Sequence, residues 1–278
     1  MMSDLQRSIR YHSSPSPKKE GLACEIRALS TEDELIESYR LRYDVYDELG
    51  YIRRCNASRL EIDEYDALSI PFGAFDPTSG AMIGTLRLVT TEIQPDYESL
   101  IASILVDFDD AELTKQALGP WPHPLPSILS HEIEQQIEVF NTERFIVNEM
   151  SRTIVHPGYR GMGVSRGLVE LGFAYASRGG PVVVVGGCLP EHLPMYAKFG
   201  CQKLPHTGLE LFESVGQIAH AVICRTDVLP QPTRGHVDAL LRSMESSATE
   251  CTLAIGRGAR ARYRFVPSRR TRRRTKEW

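Results

Sequence analysis

The hydrophobic pattern is clearest between residues 145 and 188. From 145 to 155 the β-branched residues Ile146, Val147, Thr153, Ile154 and Val155 predict a strand, which Pro157 and Gly158 stop. After Gly163 the apolar positions Leu168, Leu171, Gly172 and Tyr175 recur at helical spacing. Val169, Phe173 and Ala176 widen the stripe, so a largely buried helix is predicted, ended by Gly179 and Gly180. The run PVVVVGGC at 181–188 is short, apolar and β-branched, as in a strand buried on both faces. Between the first strand and the helix lies RGMGVS, 160–165. Its glycines allow close backbone approach and a helix N-terminus presents unpaired N–H groups, so the turn suits a phosphate. A purely structural strand–turn–helix would also need glycine there.

Upstream, residues 1–22 are polar, with SSPSPKK at their centre, and are expected to be a disordered arm. Ala23–Leu29 predicts a first strand, and Ser30 and Thr31 with Asp33 and Glu34 give capping signals for a helix running to about Glu48. Ile70–Phe75 and Met82–Thr91, joined by DPTSG, predict a hairpin. Residues 92–142 read as a helical insertion, with helices around 97–106, 109–118 and 127–140. Downstream, a short helix ends at Phe199, Glu210–Phe212 and Ile218–Arg225 are strand-like, and PQP at 230–232 marks a boundary. One more helix is expected over 236–247, and the rest is expected to be loose. The organisation is thus a domain over 23–229 followed by a C-terminal extension, 230–278.

Composition changes this picture in two places. The net charge of −4 conceals ten Lys/Arg against one acid in residues 257–278, while the remainder carries a net −13. Such a basic tail suits an anionic partner (acidic protein, anionic lipid or nucleic acid, the last not expected), or is simply solvated. The six cysteines show no C-x-x-C or metal-ligand spacing, and no apolar run approaches a membrane span or a signal peptide. Reduced thiols in a cytoplasm, with no metal, are expected. His156, His192 and His206 are scattered and are expected to be satisfied or solvated.

The turn Arg160-Gly161-Met162-Gly163-Val164-Ser165 resembles the Q/R-x-x-G-x-G/A signature of the GNAT superfamily of N-acyltransferases, with Ser165 in the last, normally Gly/Ala, position. Tyr196-x-x-x-Gly200 resembles the end of that family's next helix. A second set of residues is similar to the acyl-homoserine-lactone synthases and N-acyl amino acid synthases: R-x-x-x-F (Arg42 with Tyr46), D-x-x-D (Asp63 with Asp66), an arginine on the hairpin's second strand (Arg87), and E-x-S-R (Glu149 with Arg152). Tyr46 stands where phenylalanine is usual, and Ile52 where the lactone synthases usually carry tryptophan, which leans toward the amino acid acylating branch. Similar sequences occur among exosortase-associated acyltransferases.

The resemblance implies an α/β (α+β) fold with a central mixed, mostly antiparallel twisted sheet flanked by helices. It implies a long-chain acyl donor, either acyl-CoA or the phosphopantetheine of an acyl carrier protein, held by residues 160–165, and a small amine acceptor, an amino acid by preference. Glu149 would be the base, Tyr196 the acid for the leaving thiolate, and Arg152 the third member of the catalytic set. Arg42, Tyr46, Asp63, Asp66 and Arg87 would serve the acceptor side, Asp63, Asp66, Arg87 and Arg152 by ordering a loop over the pocket or by direct recognition of the acceptor. Glu149 and Arg152 are an odd number apart, so they point to opposite faces of a regular strand unless it carries a bulge, which would also expose N–H groups for an oxyanion. Two readings stay open beside this one: acetyl-CoA-dependent acetylation of a small molecule or peptide, and a non-catalytic acyl-binding module.

Overall fold

The computed structural model describes residues 24–52, 55–90, 94–117, 135, 138–140, 142–143, 145–212, 217–246, 251–255 and 264–267. The N-terminal arm, most of the helix expected over 127–140 and most of the basic tail lie outside the described residues.

Strand β1 (Cys24–Ala28) leads into helix α1 (Glu32–Glu48). The capping signals act as the sequence suggests: Thr31 Oγ1 accepts from the N–H of Glu34 at 3.3 Å, and Glu34 reaches back to the N–H of Ser30 at 2.9 Å. Strands β2 (Ser69–Phe75) and β3 (Met82–Val89) form the hairpin. The insertion contributes α2 (Pro95–Phe108) and α3 (Ala111–Ala117). Strand β4 (Ile146–Val155), helix α4 (Val164–Ala176) and strand β5 (Val182–Cys188) form the central strand–turn–helix–strand unit. After it come α5 (Leu193–Ala197), β6 (Gln202–Lys203), β7 (Leu209–Phe212) and β8 (Gln217–Arg225).

Together with β9 (Cys251–Ile255) and β10 (Arg264–Pro267), these strands form, among the described residues, one ten-stranded sheet ordered β10-β9-β1-β2-β3-β4-β5-β8-β6, with β7 also on β8. Every pairing is antiparallel except β4 with β5, as their connection through α4 requires. This is the mixed, mostly antiparallel sheet flanked by helices that the family resemblance implies. One face carries α1 and α2 over Leu29, Leu35, Tyr39 and Ile104, all of them buried. The other carries α4, whose Leu168, Val169, Leu171 and Phe173 pack on Ile26, Phe72 and Leu86. Burial of these large side chains supplies the main driving force for the layering.

Beyond PQP the expected helix forms, and part of the remainder expected to be loose is strand. Helix α6 (Thr233–Ser246) packs on α4, and β9 (Cys251–Ile255) and β10 (Arg264–Pro267) extend the sheet beyond β1. A five-residue strand carries too little pattern to be read from sequence. Its pairing satisfies the otherwise open backbone edge of β1, which is a tertiary property.

Two irregularities in β4 make the site. Across β3, Thr85 pairs with Ile154 and Arg87 with Ser151, so Arg152 and Thr153 together face Leu86 alone. That is a β-bulge, and Arg152 takes a positive φ of 54° in it. Across β5, pairing runs only from Ile146↔Val182 to Glu149↔Val185. Beyond that rung the two parallel strands separate, and the gap opens into a cavity. Gly186 stands at the fork: a Cβ there would lie 2.7 Å from the carbonyl oxygen of Met150, so only glycine permits the approach that precedes the divergence.

Candidate active site

The cavity has a volume of ≈ 470 Å³, within the range of small-molecule sites. Its walls come from the end of α1 and the residues after it (Tyr46, Leu49, Tyr51), the outer half of β4 (Ser151–Val155), the turn into α4, and the end of β5 with α5. It therefore passes through the sheet between β4 and β5.

On the α4 side the glycine turn supplies Arg160, Gly161, Val164 and Ser165 to the wall, whereas Met162 packs against the core and neither it nor Gly163 is part of the lining. Gly161 and Gly163 have φ of 76° and 86°, the left-handed region in which a β-carbon is strained, and Gly163 is the N-cap of α4. The turn is pinned by Tyr159, whose hydroxyl donates to Asp76 Oδ2 at 3.0 Å, and by His156 Nδ1, which accepts the N–H of Gly158 at 3.2 Å. That is a structural use of His156. Helix α4 thus aims its first N–H groups and its positive dipole end at the cavity.

Tyr196 lines the same side, hydrogen-bonded to the Thr153 side chain. Burial pushes its hydroxyl up to about 12, against the opposing effect of the Thr153 bond, so it stays protonated at neutral pH. It also packs edge-on to Phe199, with ring centroids 6.4 Å apart.

On the α1 side lies an ion cluster of three arginines and three carboxylates. Arg42 meets Glu61 at 2.5 Å and forks onto Asp66 at 2.7 and 3.1 Å. Arg87 bonds Asp63 and lies 3.3 Å from Asp66. Arg152 donates to Glu61 at 2.9 Å and to Asp63 at 2.8 Å, and its guanidinium sits 5.8 Å from the centre of the Tyr46 ring. Arg42 and Arg87 side chains are each only 2% exposed, so the cluster is internal. Burial alone would push both carboxyls up. For Asp63, however, Arg87 and Arg152 outweigh burial, and for Glu61, Arg152 and Arg42 do, holding each below the ordinary carboxylate range. The bulge makes this possible by turning Arg152 to the face that carries Glu149 and Arg87.

Of the residues singled out on the acceptor side, Tyr46 and Arg152 line the cavity. Arg42, Asp63, Asp66 and Arg87 stand behind its wall, tied to one another. Glu61 completes the cluster, and the family resemblance assigns it no role. Its only signal is its place two residues before Asp63 in an acidic loop. Glu149 is 0% exposed and is not part of the lining. Burial raises its carboxyl above the ordinary range, partly offset by Arg87 and by a hydrogen bond from Ser151. Among the described residues no group of His, Cys, Asp and Glu is arranged to hold a metal ion, and no helix is long and apolar enough to cross a membrane.

No protein-family model and no curated protein matches the chain. Among solved structures it is similar to FeeM, an N-acyl amino acid synthase from uncultured soil microbes, at 15% identity over 77% of this chain and 94% of that one, with a TM-score of 0.48. It is also similar to BjaI, a CoA-dependent acyl-homoserine lactone synthase with SAM and isopentyl-CoA, at 18% identity over 80% and 90% of the two chains, with a TM-score of 0.49.

Proposed function

We propose that the protein is a cytoplasmic N-acyltransferase that moves an aliphatic acyl group from a coenzyme A or acyl-carrier-protein thioester to the amine of a small acceptor, an amino acid by preference. The observation that carries this reading is the cavity through the fork between β4 and β5. A helix N-terminus and a hydroxyl acid stand on one side of it, and a buried carboxylate stands behind the other.

The residues divide the work by position. Arg160, the N–H groups of residues 161–165 and the dipole of α4 hold the donor's phosphates. The pantetheine arm runs into the fork, where β4 and β5 no longer pair with each other. The acyl chain lies against Leu49, Ile154, Leu189 and Met195, and the acceptor enters from the Tyr46 side. Glu149 takes the proton that the amine loses on attack, and its raised affinity for a proton suits that task. Backbone N–H groups at the Arg152–Thr153 bulge hold the oxyanion. Tyr196 protonates the departing thiolate. Asp63, Asp66, Arg42 and Arg87 act as a rigid wall rather than as direct ligands, because each is already bonded within the cluster. The basic tail is left to contact an anionic partner, of which an acidic carrier protein is one.

The test is mass spectrometry of lipids from bacteria expressing the protein, followed by assay of the pure protein with acetyl-, octanoyl- and hexadecanoyl-CoA and the standard amino acids. Long N-acyl products support the reading. Acetylated products alone would replace it with the acetyltransferase reading. Coenzyme A binding with no product from any donor would replace it with an acyl-binding module.

The phosphate turn has its own test. Ser165 is the second residue of α4, where a carboxylate is favoured by the helix dipole by about 0.3–1 kcal/mol. Ser165→Asp should therefore leave the melting temperature unchanged or slightly raised, while like-charge repulsion weakens coenzyme A binding by roughly tenfold or more. Unchanged affinity in calorimetry would make the turn purely structural.

A further inference from the structure

The proposed base does not reach the proposed substrate. Glu149 is wholly buried, and the cavity wall begins only with the residues after it. Ser151 closes that gap. It lies two residues on, hence on the same face of β4, since the bulge comes only afterwards at Arg152 and Thr153. Ser151 lines the cavity, and its hydroxyl bonds the Glu149 carboxylate. Arg87, opposite it across β3, donates from Nε to Ser151 Oγ at 3.2 Å. A serine hydroxyl has one proton and two lone pairs. Here the proton is committed to Glu149 and one lone pair to Arg87, which leaves one lone pair for a donor in the cavity. Arg87 cannot drift, because Asp63 and Asp66 hold its other end.

We infer that Ser151 is a catalytic hydroxyl that relays the acceptor's proton to Glu149. The inference rests on the acyl-transfer reading above. As the amine nitrogen bonds to the thioester carbon, its N–H bond breaks and that proton joins Ser151 Oγ. The hydroxyl's own proton passes in the same motion to Glu149, which becomes neutral. On collapse of the tetrahedral adduct the C–S bond breaks and the sulfur takes a proton from Tyr196. Glu149 then returns its proton to solvent and Tyr196 regains one. The bulge divides these two tasks between faces: Ser151 and Glu149 stand on the α1 side, and Thr153 with Tyr196 on the α5 side.

Ser151→Ala should lower kcat by roughly 10²-fold, the usual worth of a positioned proton-transfer group, with KM for the amine within a few-fold of wild type. Ser151→Thr, which keeps the hydroxyl, should recover most of the rate. In mixtures of light and heavy water the wild-type rate should report two protons in flight, and Ser151→Ala fewer. Infrared titration of the carboxyl gives a readout independent of turnover: losing the Ser151 bond should move the Glu149 midpoint upward, because that bond favours the charged form. Wild-type kcat in Ser151→Ala would overturn the relay, as would a Ser151→Thr protein no faster than Ser151→Ala at the same melting temperature. A wild-type protein that forms no acyl product at all defeats the acyl-transfer reading instead, so the two failures are distinct.

Discussion

Arg42→Met should lower the midpoint of thermal unfolding by on the order of 10 °C, although Arg42 touches no reacting group. Its guanidinium is shared by Glu61 and Asp66, and methionine of similar length would leave both carboxylates short of a partner inside the protein. Removing one member of a buried ion cluster typically costs about 3–5 kcal/mol, because the abandoned charges stay desolvated. At about 2–4 °C per kcal/mol for a chain of this size, the shift is readily measured. The loop suffers with the cluster, since Asp66 also accepts the N–H of Asp63 at 2.9 Å, and Asp63 that of Tyr65 at 3.0 Å. Arg42→Lys should recover only part of the loss, as an ammonium lacks the planar fork that grips both oxygens of Asp66 while Nε meets Glu61.

The same cluster sets the acid limit of the fold. Asp63 and Glu61 are depressed in the folded state, so their contribution is fully present above the unfolded carboxylate values near about 4. It is lost as pH falls through the lower folded values. Melting temperature followed from pH 7 down to 2 should therefore fall steeply below about pH 4 in the wild type. In Arg42→Met the fall should be shallower. An Arg42→Met protein with the wild-type melting temperature and acid profile would show that the cluster does not hold the wall.

What the sequence discloses here depends on how local the determinant is. The bulge in β4 follows from parity once the family resemblance assigns Glu149 and Arg152 to one site: they cannot share a face of a regular strand, and the chain resolves this with two residues opposite Leu86. The N-cap at Thr31, the turn at 160–165 and the Val182–Cys188 strand are likewise written within a few residues of themselves. Glu61 is different. Its role exists only because α1 brings Arg42 and the bulge brings Arg152 to one place, and no spacing in the loop encodes that. Strand β9 is recruited by the free edge of β1, and β6 is two residues long. Nor does the strand pattern reveal that Glu149 lies behind the cavity wall while Ser151 lies in it. Depth from a surface depends on what packs over the strand.

That depth makes Glu149→Gln the sharpest experiment on the site. The rate of acyl transfer should fall by roughly 10²–10⁴-fold, because the amide keeps the size of the side chain but has no useful proton affinity. Raising the pH should restore much of it, as solvent hydroxide and free amine take over the lost step. Stability should move the other way from Arg42→Met. Burial raises the Glu149 carboxyl in the folded state, so the stability it contributes is present below its unfolded value, near about 4.3, and is lost as pH rises through the folded one. Above that range the ionised, buried carboxylate opposes folding, and glutamine removes the cost. At neutral pH the melting temperature of Glu149→Gln should therefore equal or exceed that of the wild type. A wild-type rate would remove Glu149 from the chemistry. A melting temperature lowered as far as in Arg42→Met, with no recovery of rate at high pH, would instead make Glu149 a seventh member of the ion cluster, needed for the wall and not for the proton.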